Sequence, residues 1–249
     1  MGWGVYAADL HVHSVLSPCG DLEMSPGRIL ERAAAVGLDL IAVTDHNMAE
    51  NGGALRTLAA GSPVAVLYGM ELETAEEAHL LCLFDALEVA AAWQEYVYAR
   101  LPDVANDPLR FGDQVVVNEK EEIVRFESRL LANATSVTLD EACEEVHARG
   151  GLAIAAHVDR PAHSVVSQLG FLPKGVRVDA VELTRHANEG FAAAHAHWLC
   201  GLAVVRFSDA HFLHDVGAQR TYFRIEAPTV AEIALALRGE AGREVAGYG

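Results

Sequence analysis

Short apolar runs that end abruptly in histidine or carboxylate recur along this chain, and they constrain its fold more than any other feature. Residues 5–12 read as a strand ending in the His11–His13 pair, and residues 38–43 as a strand followed by Thr44, Asp45 and His46. Residues 152–156 run into His157, and residues 202–207 into Ser208, Asp209, Ala210 and His211. Residues 64–68 (ahead of Glu71), 79–84 and 178–183 are further strand candidates. The segment 38–43, apolar at nearly every position, fits a strand buried on both faces. Helical patterns fill the intervals. One has Ser25 as N-cap, Pro26 in its first turn and Gly37 just past its end. Another opens on the T-x-x-E capping box of Thr138 and Glu141. Further helices are expected at 86–100, 188–199 and 229–238. Such alternation predicts an α/β chain with a parallel sheet, either a closed barrel or a doubly wound sheet. The barrel is favoured because polar residues follow so many different strands. In a closed barrel all those strand ends meet on one rim, whereas in an open sheet only those beside the switch point do.

The residues at these strand ends are metal-ligand types. His11 and His13 are two apart on a strand, so both imidazoles face one side and can reach one ion. Asp209 and His211 repeat that spacing with a mixed oxygen and nitrogen set suited to zinc, manganese or iron. Glu71 is placed to bridge two cations, as carboxylates do in multinuclear sites. Asp45 is expected to orient a ligand histidine rather than to bind metal, and Glu73, Glu76 and Glu77 read as solvated loop charges. His195 and His197, two apart within a helix, diverge and are not a chelating pair. His147, His163 and His214 read as ordinary histidines.

Together, His11-x-His13–Ser14, Thr44–Asp45–His46, Glu71 with His79, Ala156–His157 and Ser208–Asp209–Ala210–His211 resemble the PHP (polymerase and histidinol phosphatase) domain family, in the family's motif order and over essentially the whole chain. The resemblance implies a distorted seven-stranded (β/α)7 barrel, with a metal cluster at its C-terminal rim that hydrolyses phosphate esters. It assigns His11, His13, His46, Glu71, His79, His157, Asp209 and His211 to metal-ligand positions. A ninth ligand is expected shortly after the His-x-His motif, where Cys19 and Asp21 compete. Asp21 is preferred, because the stretch from Asp21 to Pro26 resembles a family motif and a carboxylate suits hard metals. The set implies two or three divalent ions (Zn, Mn or Fe), nine ligands favouring three. Asp209, His211 and Glu71 are the expected catalytic groups, acting through a metal-activated hydroxide. Arg160 is a candidate phosphate clamp, or else the partner of Asp159 or another acid. His186 and, more weakly, Arg185 are further substrate-side candidates.

Composition sets the remaining expectations. A chain of 249 residues suits a single domain, with a probable insertion at about 103–135, where Pro108, Gly112 and a charged run interrupt the alternation. The formal charge is −17 and only two lysines are present, which argues against long nucleic acid and anionic membranes as partners and for a small phosphorylated substrate. Three divalent ions carry twice the charge of Asp21, Glu71 and Asp209 together, so the pocket could hold an anion regardless. Four scattered cysteines and a start without an export signal suggest a cytoplasmic protein. The alternatives are an amidohydrolase-like hydrolase, weakened because neither Lys120 nor Lys174 follows a convincing strand, and a nuclease acting on short oligonucleotide ends.

Overall fold

The structure, a computed structural model, describes residues 3–187, 189–199 and 201–249. Its centre is one sheet of nine strands: β1 (Gly4–Val12), β2 (Leu40–Val43), β3 (Ala65–Glu73), β4 (His79–Phe84), β7 (Leu152–Ala155), β8 (Ala180–Glu182), β9 (Ala203–Val205), β10 (Thr221–Ile225) and β11 (Glu244–Tyr248). The order is β11-β10-β1-β2-β3-β4-β7-β8-β9. Strands β5 (Val115–Val117) and β6 (Ile123–Phe126) form a separate antiparallel pair. The helices are α1 (Pro26–Ala35), α2 (Asn51–Leu58), α3 (Leu87–Tyr98), α4 (Pro108–Phe111), α5 (Leu139–Ala148), α6 (Val165–Leu169), α7 (Glu189–Ala194), α8 (Ala196–Leu199) and α9 (Val230–Arg238). The expected helix at 188–199 is thus two short ones, and its first residue, Asn188, lies outside the described residues. No described helix is long and apolar enough to cross a membrane.

The sheet nearly closes on itself. The chain beyond β9 returns to β1, where the His13 N–H donates to the Ala210 carbonyl (2.9 Å) and Val12 pairs with Ala210. Here two expectations are corrected. Among the described residues the sheet has nine strands rather than seven, because β10 and β11 add an antiparallel pair beside the first half of β1. Nor is the alternation parallel throughout, since β4 runs antiparallel to both β3 and β7. A tight turn over 74–78 causes that reversal, with the Thr74 N–H donating to the Ala78 carbonyl and Glu77 at φ +59. The end of β3 and the start of β4 therefore share a rim, with Glu73 opposite His79.

The apolar interior of the barrel includes Leu10, Leu40, Leu67, Leu81, Ile154, Phe207 and Phe223, all buried. A second cluster around Trp93, Phe84 and Cys143 packs α3 and α5 against the outer face. Residues 103–135 fold around the β5–β6 pair and lie on the chain that follows β1. Val115 and Val117 pack with Val15, Met24 and Ile29, and the Val115 N–H donates to the Val15 carbonyl. The side chains of Asn51 and Asn47 hold this segment, donating to the carbonyls of Val115, Leu131 and Asn133.

Candidate metal centre

One carboxylate stands at the centre of five imidazoles. Glu71, buried near the end of β3, has Oε1 at 2.8 Å from His79 Nδ1, 3.0 Å from His157 Nε2 and 3.2 Å from His11 Nε2. Its Oε2 is 3.1 Å from His46 Nδ1 and 3.4 Å from His13 Nε2. Asp209 Oδ1 faces the nitrogens of His11 and His13 from the other side, at 3.3 Å from each. His211 stacks on His13 with ring centroids 4.2 Å apart. All eight residues that the family resemblance assigned, Glu71 and Asp209 among them, are thus brought to one place.

Donor atoms within 4.8 Å of one another form overlapping groups: His11, His157 and Asp209; His11, His13 and Glu71; His46, Glu71 and His79; and His13, Cys19, His46 and His211. Several buried atoms there have no hydrogen-bond partner among the described residues, namely His11 Nε2, His13 Nε2, His46 Nδ1, His157 Nδ1 and Asp209 Oδ1. Leaving such atoms unpaired in the interior is costly. Nitrogen and carboxylate atoms that lie close, yet are not aligned as hydrogen bonds, suit a shared cation. These residues therefore fit the metal ions that the sequence implies.

The charge states follow from burial and from neighbours. Burial, outweighing Glu71 beside it, lowers His79 to about 4 and leaves it neutral, the form that ligates metal. Burial would lower His13 too, but the carboxylates of Asp209 and Glu71 beside its Nε2 prevail and raise it to about 9. Burial raises the Glu71 carboxyl, yet His79 and His11 hold it well below the usual carboxylate range.

Supporting groups fix the ring orientations. Asp45 accepts from the Ser14 N–H (2.7 Å) and from the hydroxyls of Ser14 (2.6 Å) and Ser17 (2.7 Å), and Ser17 Oγ lies 2.9 Å from His13 Nδ1. Sequence reasoning missed Glu182 on β8. Its carboxylate lies 3.0 and 3.1 Å from His11 Nδ1 and accepts the His157 N–H at 2.9 Å. The available signal was an acid between Val181 and Leu183 in a strand candidate, which a buried strand tolerates only with a partner.

Two expectations about acids are corrected. The Asp21 carboxylate accepts the Glu23 N–H at 2.8 Å, closing a local turn, and joins none of the close donor groups among the described residues. Cys19 takes the place beside the cluster, its Sγ 3.3 Å from His46 Nε2. Desolvation raises the Cys19 thiol, but the charge of His46 and hydrogen bonds from His211 and His46 outweigh it and bring it down to about 5. Glu73, read as a solvated loop charge, is buried in β3, with Oε1 3.4 Å from His163 Nδ1 and Oε2 4.0 Å from His79 Nε2. His163, read as ordinary, stacks on His79 with ring centroids 4.9 Å apart.

Beside the cluster opens a cleft of about 390 Å³ whose lining includes His157, Arg160, Arg185, His186, Asp209 and Asp215. Arg160 donates to Asp209 Oδ2 at 2.7 Å and is partly exposed. Its partner is thus an acid of the cluster rather than Asp159, which instead accepts from Thr184. Arg185 reaches both His186 (3.2 Å) and Asp215 (3.4 Å) at the cleft wall.

The family model of the PHP domain matches residues 9–165, the larger part of the chain. The chain belongs to the PHP domain family. It is a metal-dependent hydrolase, and its buried donor groups are of a kind that can hold metal ions. No curated protein matches it. Among solved structures, endonuclease Q of Pyrococcus furiosus, described as a lesion-specific endonuclease, is 22% identical with a TM-score of 0.75, over 98% of this chain and 58% of that one. A complex of endonuclease Q with a 27-mer duplex, an abasic lesion at its active site, matches at 21% and 0.72, over 97% and 58%. This chain thus spans less than two thirds of endonuclease Q. An amidohydrolase from Chromobacterium violaceum with bound sulfate matches at 20% identity and a TM-score of 0.57, over 84% of this chain and 89% of that one. A two-domain protein of Bacteroides vulgatus, containing a predicted PHP-like metal-dependent phosphoesterase, matches at 17% and 0.55, over 95% and 63%.

The endonuclease Q complex overturns the exclusion of long nucleic acid. Endonuclease Q, a protein of this fold, takes a duplex as substrate, and a whole-chain charge of −17 does not describe one cleft edged by Arg160 and Arg185.

Proposed function

We propose that this PHP domain hydrolyses phosphoester bonds at a cluster of two or three divalent ions held by His11, His13, His46, Glu71, His79, His157, Asp209 and His211. The observation that carries the reading is the ring of imidazoles around Glu71, with unpaired buried nitrogens facing inward. Bound divalent ions supply Lewis-acid polarisation of a phosphoryl oxygen and activation of water near neutral pH. The chain's own residues do the rest. Glu182 and the Asp45–Ser17 pair hold the His11 and His13 rings in place, so that no reorganisation is needed when substrate arrives. Arg160, at the mouth of the cleft and already paired with an acid of the cluster, can exchange part of that pairing for a phosphate oxygen. Arg185 and His186 line the wall where the remainder of a substrate would lie.

The substrate proposed first is a phosphodiester of a DNA strand, supported by the fold shared with endonuclease Q over nearly all of this chain. A cleft of about 390 Å³ suits roughly one nucleotide taken out of the stack. A second reading, a small phosphate monoester, is favoured by the few cationic side chains available to track a long backbone. The test supplies Zn, Mn or Fe separately. It compares nicking of a duplex containing an abasic site with phosphate release from sugar, nucleotide and amino-alcohol phosphates. Asp209→Asn should abolish turnover and weaken metal binding; unchanged turnover refutes the assignment. Hydrolysis of an amide with every ester untouched would refute phosphoester chemistry.

A further inference from the structure

One polar side chain on the wall of the cleft is left without a partner. Arg160 bonds to Asp209, Thr184 to Asp159, Arg185 to His186 and Asp215, and Glu182 to His11. Gln219 lines the same cleft and is only 9% exposed, yet its amide makes no hydrogen bond among the described residues. Buried amides are nearly always paired, so one left over in a cleft beside a metal centre points to a ligand. The backbone on either side, and not the amide, fixes where this residue sits. The Gly217 N–H donates to Asp9 Oδ2 at 2.8 Å, in a left-handed conformation (φ +73) that suits glycine. The Ala218 N–H donates to the Asp215 carbonyl (2.8 Å) and the Arg220 N–H to the Gly249 carbonyl (3.0 Å). The Arg220 guanidinium closes the loop on the carbonyls of Val36 and Gly217. The amide is therefore placed at the cleft without being used by the fold.

We propose that Gln219 determines specificity in this cleft, and that its amide reads the hydrogen-bonding edge of a nucleobase. The inference rests on the reading of the site as a phosphoester hydrolase and narrows its substrate to nucleotides. An amide presents a donor and an acceptor side by side, and base edges carry matching neighbouring pairs, whereas a phosphate oxygen only accepts. Phe207, buried at 2% exposure, adds an apolar aromatic surface to the same cleft, which suits a flat ring. The cleft so offers a cation for a phosphate, from Arg160, and an uncharged donor–acceptor pair beside an aromatic ring for a heterocycle. Such a base can come from a strand, lifted out of its stack, or from a free nucleotide.

Duplexes that differ at one position, carrying either an abasic site or one of a set of mispaired bases, test this with the metal-loaded full chain. The unmodified chain should rank the bases, separating those that differ by an amine exchanged for a carbonyl. Gln219→Leu has a similar size but neither donor nor acceptor. It should lower kcat/KM on the preferred base about tenfold or more relative to the abasic strand, which has no edge to read. Gln219→Glu only accepts, and should shift the ranking toward bases with an amine at that edge. Fluorescence anisotropy of the same duplexes with the chelated chain should show the same ranking and the same loss. If Gln219→Leu does not fold, as judged by circular dichroism, Gln219→Glu decides. An unmodified chain indifferent to the base, a ranking that neither variant alters, or equal loss on abasic and base-bearing strands overturns the inference and leaves phosphoester hydrolysis standing. If every duplex is spared but mononucleotides are hydrolysed, the same loss is expected on nucleotides relative to sugar phosphates. Turnover of sugar phosphates with no preference for nucleotides overturns the inference alone, and failure on every ester overturns both readings.

Discussion

Removing the carboxylate of Glu182 is the sharpest perturbation available to the site, because it touches two supports of the cluster without removing any proposed ligand. That side chain is 2% exposed and receives His11 Nδ1 at 3.0 Å and the His157 N–H at 2.9 Å. Glu182→Ala orphans both buried donors, at about 1–3 kcal/mol each, so the metal-free chain should lose about 2–6 kcal/mol. Glu182→Gln keeps the shape and one acceptor but turns an amide N–H toward the other donor, and should lose about 1–3 kcal/mol. The effect on metal is separate. The carboxylate keeps the proton on His11 Nδ1 and frees Nε2 to face Glu71 and Asp209, and loss of such support typically costs 10–100-fold in metal affinity. Urea denaturation in chelator gives the first quantity and competition with a chromophoric chelator the second. If Glu182→Gln matches the unmodified chain in both, the assigned role of this residue is refuted.

Three further outcomes are expected. Arg160→Ala should leave folding unchanged, since the side chain is partly exposed, yet raise KM about tenfold or more through loss of a charge-assisted phosphate contact, as measured by steady-state kinetics. Gly69→Ala would bring a Cβ to 2.5 Å from Thr44 Cγ2 and 2.9 Å from the Val43 carbonyl, and should destabilise by about 1–3 kcal/mol in denaturant melts. His13, raised from 6.5 to about 9, contributes stability to the metal-free chain that is fully present below pH 6.5 and lost as pH rises through 9. Metal must displace that proton, so affinity should rise over the same interval, with proton release seen by calorimetry in buffers of different ionisation enthalpy.

Local patterns carried much of this structure openly. The N-terminal Ser–Pro and trailing glycine of α1, the Thr138 cap of α5 and the apolar runs of β1, β2 and β7 can each be read from a few neighbouring residues. The parts that could not be read depend on distant partners. Strand β3 continues to Glu73, an acid that looks like a loop residue until His79 and His163 are brought beside it. The turn into β4 has neither glycine nor proline to announce it, so its reversal of direction was hidden. The choice between Cys19 and Asp21 turned on which way a tight loop pointed two side chains only two residues apart. The Asp21 carboxylate accepts the Glu23 N–H while the Cys19 sulfur lies beside His46, and no spacing rule contains either contact.

Backbone strain lies where the donors are, and it has a consequence for metal removal. Asn47, His157 and Asp209 follow strands in the left-handed region, at φ +50, +29 and +50. A non-glycine residue held there costs on the order of 1–3 kcal/mol, less for asparagine. Each is held by specific bonds. Asn47 donates to the Leu131 and Asn133 carbonyls and accepts the Glu73 N–H, His157 donates its N–H to Glu182, and the Asp209 carbonyl faces His211 Nδ1 at 2.8 Å. Because protein bonds hold all three turns, the chain should stay folded in chelator, with ions adding stability rather than creating the fold. One ion at about a hundred times its Kd adds about 2.7 kcal/mol, equivalent to about 5–10 °C in Tm for a chain of this length. Differential scanning calorimetry with and without chelator should therefore show two folded states separated by at least that interval. A chelated chain that has lost its cooperative transition would mean that metal builds these turns, and a Tm indifferent to metal would mean that the imidazole ring around Glu71 holds no ion.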